Sequence, residues 1–181
     1  MCARATLKSP DRLTELRELR VTFPGGLKPR FNIAPTTPIL TARIGSDGAM
    51  ESCLCRWNLI PNWSGGPKKM KTLLINARAE TAPFKLSFRD PFKRRQCLVL
   101  GDGFYEWAHP GDGRKLPYQI HQPDDPPFVF AGLWDEWEGP VDEPIQSCTI
   151  ITTQANQLLR PLHDRMPVIL NRADYAQWLD S

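Results

Sequence analysis

In the opening stretch MCARATLKSP a cysteine stands directly behind the initiator methionine. Removal of Met1 would leave Cys2 with a free α-amine two carbons from its own thiol, and such a 1,2-aminothiol traps aldehydes. Without that processing, Cys2 is a side chain at an ordinary frayed terminus. Three other stretches hold residues able to support the chemistry. LINARAET, if extended, sets Asn76, Arg78 and Glu80 on one face and Ala77 and Ala79 on the other. That face is either a solvated strand surface or a polar wall in which Asn76 offers an amide and Arg78 grips a phosphate through two hydrogen bonds. In GDGFYEW, Glu106 lies among Phe104, Tyr105 and Trp107. Its carboxyl is either exposed on an edge or partly desolvated, and desolvation favours the neutral form that suits general acid–base work. In PLHDRMPVIL, His163 precedes an apolar run beside Asp164 and Arg165. It is either a structural loop histidine or an imidazole that moves a proton near neutral pH, with Arg165 near enough in sequence to hold a phosphate.

These residues have to be positioned by short elements. SPDRLTELREL has Ser9 as an N-cap, Pro10 at the first helical position and Leu13, Leu16 and Leu19 at helical spacing, which predicts an early amphipathic helix. After it come RFNIAP, ILTARI, SCLCRWNLIP, QCLVLGDGFYEW, PYQIHQ, FVFAGLWDEW, CTIITT and MPVIL, apolar or alternating runs bounded by turn residues, which read as strands. A second helix closes the chain behind Asn171, with Tyr175, Trp178 and Leu179 on one face. No internal repeat and no linker interrupts this order, so the expectation is a single domain over residues 1–181 and an irregular, loop-rich α+β protein.

Composition narrows the partners. A formal charge of +3 permits nucleic-acid binding without demanding it. The runs PKKMK and FKRR could line a phosphate track or simply be solvated. Five cysteines, an odd number, stand at 2, 53, 55, 97 and 148 with neither a disulfide framework nor a CxxC metal frame, which points to a reducing compartment and no metal. CLC places the Cys53 and Cys55 sulfurs on one strand face, and the pair reads as core. No stretch has the character of a signal peptide or the length to span a bilayer. The expected location is therefore cytoplasmic and nucleoid-associated in a bacterium or nuclear in a eukaryote, with no membrane partner.

Taken in order, MCAR, RFNIAP, WNLIPNW, INARAET, CLVLGDGFYEW, FAGLWDEW, TIITTQAN and LHDRMPVIL resemble the SOS response-associated peptidase (SRAP) domain, a family that forms covalent crosslinks to abasic sites in single-stranded DNA. The resemblance covers nearly the whole chain. It implies a compact α+β fold centred on a strongly bent, barrel-like antiparallel β-sheet with flanking helices. It implies Cys2 as covalent nucleophile, Asn76 and Glu106 lining the active site, and His163 assisting proton transfer. Arg4, Arg78 and Arg165 would contact phosphates, Asn32, Pro35 and Trp63 would meet DNA around the lesion, and no cofactor is needed. The chain departs from the family at Ala3 and Asn58, where glycine is usual, and at Ser64.

The residue types suit an aldehyde. An α-amine with a pKa near 8 is about a tenth free base at neutral pH, far more than a lysine. It would form an imine with the open sugar, and the Cys2 thiol would then close a five-membered thiazolidine, an intramolecular step with an effective molarity of about 10⁵ M or more. The same imine could promote strand cleavage, giving weak lyase activity. Two other readings compete. One is an N-terminal-cysteine peptidase that removes Met1 and cuts other proteins. The other is a non-catalytic single-strand binding module built on the basic runs and Trp63. The expected partner is single-stranded DNA carrying abasic sites, and the expected state is a monomer.

Overall fold

Short apolar runs punctuated by Gly, Pro, Asn and Asp form strands, and a buried strand needs a partner on both edges for its backbone groups. The computed structural model describes residues 2–108, 110–111, 113–139 and 143–180. Met1 lies outside them. The strands are β1 (Ala5–Leu7), β2 (Arg30–Ile33), β3 (Pro38–Ile44), β4 (Met50–Trp57), β5 (Asn76–Arg78), β6 (Gln96–Gly101), β7 (Gly103–Ala108), β8 (Leu116–Ile120), β9 (Phe128–Trp137), β10 (Ile145–Gln154), β11 (Arg165–Pro167) and β12 (Ile169–Leu170). Two short helices, α1 (Arg89–Arg94) and α2 (Tyr175–Leu179), flank them.

The larger sheet has the order β11-β10-β4-β3-β6-β9-β12, and β9 also pairs with β10. This second pairing closes β4, β3, β6, β9 and β10 into a ring. The bent, barrel-like α+β architecture implied by the resemblance is therefore present. Two of its pairings, β10 with β4 and β10 with β5, are parallel. A smaller sheet, β2-β1-β7-β8, adjoins it through the turn from β6 to β7. Trp57, Phe104, Phe130, Leu98 and Leu100 are fully buried and belong to one core cluster that both sheets share.

That turn is built by GDG. A Cβ at Gly101 would sit 2.9 Å from the Thr6 carbonyl oxygen, and one at Gly103 would sit 2.7 Å from Thr6 Oγ1, so both positions need the missing side chain. Between them Asp102, 1% exposed, accepts hydrogen bonds from Thr6 Oγ1 at 2.6 Å, from the Lys8 amide and from the Ser9 amide at 3.1 Å. One carboxylate thus fixes the start of the chain against β7.

Two expectations need correction. Residues 10–19 form not an amphipathic α-helix but two 3₁₀ turns, Pro10–Glu15 and Arg17–Leu19, and the Ser9 side chain caps neither. Leu13, Leu16 and Leu19 are nevertheless all buried. A strict three-residue spacing is the period of a 3₁₀ helix, where i and i+3 eclipse, and the Ser9 amide is engaged by Asp102. LINARAET is extended only at Asn76–Arg78. It turns next, the Thr81 and Ala82 amides donating to the Arg78 carbonyl, so Glu80 leaves the strand face.

Replacing Asp102 by alanine leaves three donors without their acceptor. The expected cost is about 2–4 kcal/mol in urea-induced unfolding, because hydrogen bonds to a charged acceptor are the stronger kind.

Candidate active site

The N-terminal segment reaches its place by backbone pairing. Ala5 and Thr6 of β1 lie opposite Phe104 and Gly103 of β7, and the Tyr105 amide donates to the Arg4 carbonyl at 3.0 Å. This brings Cys2, fully buried, into the field of the Glu106 carboxyl, itself 3% exposed. From the other sheet, Asn76 Nδ2 donates to the Cys2 carbonyl at 2.7 Å, while Asn76 Oδ1 is buried with no hydrogen-bond partner. Cys2, Asn76 and Glu106 therefore meet where the two sheets adjoin. Burial first, and the Glu106 charge second, push the Cys2 thiol up to about 12, so it is protonated at neutral pH. Its Sγ lies 3.9 Å from the Arg4 carbonyl, a weak contact.

Arg78 lies two residues beyond Asn76 on β5, on the same strand face and about 7 Å along it. It is exposed and lines a cleft of about 400 Å³ with Gln154, Arg160, Asp164 and Arg165. Arg165 is committed there. Its Nη1 and Nη2 donate to the Glu80 carboxylate at 2.8 and 2.9 Å, and Nη2 also donates to the Thr152 carbonyl at 2.6 Å. Its Nε is buried without a partner. The hydrogen bonds from Arg165 hold the Glu80 carboxyl down at about 2. His163, next to this cleft in the chain, receives the Arg165 amide on Nδ1 at 2.9 Å and has Asp164 Oδ1 2.7 Å from the same nitrogen. One nitrogen cannot accept from the amide and donate to the carboxylate together. The first arrangement needs a ring with no proton on Nδ1, and the second a ring that carries one there.

The remaining predicted residues are dispersed. Arg4 folds back, Nη1 donating to the Ala3 carbonyl at 2.8 Å. Asn32 is exposed on β2. Pro35 precedes Thr36, a β-branched residue at φ 69°, a strained conformation held by its amide's 2.7 Å bond to the Trp57 carbonyl. Trp63 is 55% exposed beside Lys69 and Lys71. Arg160, Gln154 and the Glu80 clamp on Arg165 escaped the sequence reading. The signal for Arg160 was its place three residues before His163 in RPLHDR. At the departures, neither Ala3 nor Asn58 has a positive φ, and Asn58, 3% exposed, accepts the Leu74 amide at 2.6 Å and so fixes the approach to β5. All five cysteines are free, and among the described residues no group of three or more His, Cys, Asp or Glu could hold a metal ion. No helix of the described residues is long and apolar enough to cross a membrane.

Comparison with known proteins adds a family. The family model for SOS response associated peptidase (SRAP) matches residues 1–181. The chain is 40% identical over 183 residues to abasic site processing protein YoqW of Bacillus subtilis, covering 99% of this chain and 80% of that protein. It is 34% identical over 186 residues to abasic site processing protein HMCES of Gallus gallus, covering 86% of this chain and 55% of that protein. Among solved structures, a protein from Bacteroides thetaiotaomicron superimposes with a TM-score of 0.84 at 27% identity, covering 98% of this chain and 81% of that one. A protein from Bordetella bronchiseptica superimposes with a TM-score of 0.82 at 26% identity, covering 99% and 89%.

The Glu80–Arg165 pair has a pH signature. A carboxyl lowered by folding stabilises the fold fully above the ordinary carboxylate range, and that stability is lost as pH falls toward 2. Glu80→Gln is expected to cost about 1–2 kcal/mol at pH 7, between the values for exposed and buried pairs, with a smaller difference at pH 3. Urea unfolding of both proteins at the two pH values checks it.

Proposed function

Because the chain belongs to the SOS response associated peptidase (SRAP) family, we propose that it processes abasic sites in DNA, joining the Cys2 amine and thiol covalently to the lesion's aldehyde in a single strand. The observation that carries this reading is the meeting of Cys2, Asn76 and Glu106 at the sheet junction. Relatives named abasic site processing proteins across most of the chain give it its substrate.

With Met1 removed, the α-amine attacks C1′ of the open sugar to give a carbinolamine, which loses water to form an imine. The thiol then adds to the imine carbon as its proton passes to nitrogen, leaving a thiazolidine and one water. A protonated Cys2 thiol suits this order, because the amine is the first nucleophile and the thiol carries the proton that the second step needs. The alternative peptidase reading asks for a thiolate at the outset, which the burial of Cys2 beside Glu106 disfavours. Glu106 and His163 are assigned the proton movements of ring opening and dehydration, and Asn76 the positioning of the Cys2 backbone. Elimination from the imine would give weak strand cleavage as a side reaction. Arg78 is the exposed cation best placed for a phosphate, and Arg165 would have to exchange Glu80 for one. The exposed indole of Trp63 offers a stacking surface worth about 1–3 kcal/mol per base without sequence preference.

Incubating protein of verified N-terminal mass with a single-stranded oligonucleotide bearing one abasic site tests the proposal. The expected product is a band that survives a denaturing gel and whose mass is that of both partners less one water. It should be absent with Cys2→Ala and with protein that retains Met1. Asn76→Ala should slow its formation about 10-fold or more, the usual scale for a lost positioning contact. Unattached oligonucleotide after prolonged incubation with folded, trimmed protein refutes it.

A further inference from the structure

Four cysteines take no part in that chemistry. Cys53 and Cys55 project from β4 into the ring with their sulfurs 3.6 Å apart. Thr41, opposite Cys53 on β3, places its hydroxyl 3.3 Å from each sulfur. Arg43, two residues further along β3, is 5% exposed and stacks its guanidinium 3.6 Å over the Trp134 ring. Its Nε donates to Glu51 at 2.6 Å, and its Nη1 is buried with no partner. Cys97 of β6 and Cys148 of β10 are fully buried, whereas Cys53 is partly open to solvent. A close sulfur pair, a hydroxyl between them and a buried cation in the same barrel are the parts of a reactive thiol with its own resolving partner.

We propose that Cys53 and Cys55 are a redox-active dithiol, Cys53 being the sulfur that a hydroperoxide oxidises and Cys55 the thiol that resolves it. The Cys53 thiolate attacks one peroxide oxygen, an S–O bond forms, the O–O bond breaks, and the leaving oxygen departs as water or alcohol after taking a proton. Cys55 sulfur then displaces hydroxide from the sulfenic acid, an S–S bond forms, and the Cys55 proton leaves with that hydroxide as water. Two thiols lose two electrons and two protons, and the peroxide gains them.

Three further points support the assignment. The groups acting on Cys53 are Thr41 and Arg43 on β3, Glu51 and Cys55 on its own strand, and, more remotely, Cys97 and Cys148. The hydrogen bond from Cys55 is the largest influence and outweighs burial; with Thr41 and Arg43 it brings Cys53 down to about 6, against the opposing charge of Glu51. Cys2, pushed up to about 12, is the poorer target for the same oxidant. Residues i and i+2 of a strand have Cα atoms about 6.7 Å apart, the long end of what a disulfide spans, so the bridge would be strained and easily reduced. That makes it a reversible modification and not a structural crosslink.

Iodoacetamide labelling of the native protein, mapped by peptide mass, is expected at Cys53 before any other cysteine. Its rate should rise less than twofold from pH 7 to 8.5, where an ordinary thiol rises roughly 15-fold. Hydrogen peroxide should remove two hydrogen masses, link Cys53 to Cys55, and be reversed by dithiothreitol. Cys55→Ser should stop at a sulfenic acid that dimedone captures, and Cys53→Ser should give neither product, with thermal melting reporting that each variant is folded. Labelling at another cysteine first, an ordinary pH profile, or peroxide oxidation of the parent without the Cys53–Cys55 link overturns the proposal. The two measurements on the parent protein decide the matter even where a variant does not fold.

Discussion

β10 is the constraint from which the rest follows. It is buried along most of its length, and every amide and carbonyl on its two edges needs a partner. Its first half satisfies them with β9 on one side and β4 on the other, which closes the ring. Its second half satisfies them with β5 and β11. The register puts Ile150 against Asn76 and Thr152 against Arg78, and Gln154 against Arg165. Residues separated by tens of positions in sequence are thus placed by one strand's hydrogen bonds. Thr152 shows the coupling directly, since its carbonyl accepts both the Ala79 amide at 2.9 Å and Arg165 Nη2 at 2.6 Å.

Within that frame the same functional group is pushed in opposite directions. Cys2 and Cys53 are both thiols in apolar surroundings, yet burial wins at Cys2 and local donors win at Cys53. The difference is what stands beside each sulfur. Cys2 is fully buried and has a carboxyl in its field, and both favour the neutral thiol. Cys53 has a thiol, a hydroxyl and a guanidinium, all able to donate to or attract a thiolate. A chain that keeps one thiol quiet and another ionisable separates addition to a carbon electrophile from reaction with an oxidant.

Much of this was legible in the sequence because alternation and turn residues act locally. The strand runs appear where the patterns put them, with β6 and β7 parted at the GDG turn. The closing helix has its apolar face as read. What was not legible depends on tertiary contact. The 10–19 segment carries a pattern of threes that a helix and a 3₁₀ turn share over so short a length, and the partner that holds the Ser9 amide at its start, Asp102, stands some ninety residues away. β5 is three residues long and exists because β10 offers it an edge. Asn76 and Arg78 were visible as a polar pair, but the partner across the sheets, the Cys2 carbonyl, was not. Equally, the alternation that aligned Glu80 with them ignored the turn that swings it onto Arg165.

That swing changes how the cleft handles an anion. A guanidinium held by a bidentate carboxylate presents a nearly neutral pair to solvent, and the potential in the cleft is then set by Arg78 and Arg160 against the single carboxylate of Asp164. On the proposed reading, a DNA phosphate approaching this cleft first meets Arg78, the exposed cation two residues from Asn76. With ten per cent of its side chain exposed, Arg165 ties the β5–α1 turn, through Glu80, to the C-terminal end of β10 at Thr152. On the proposed reading, a phosphate that drew Arg165 away would also free the turn that directly follows Asn76 and Arg78 from its tie to β10.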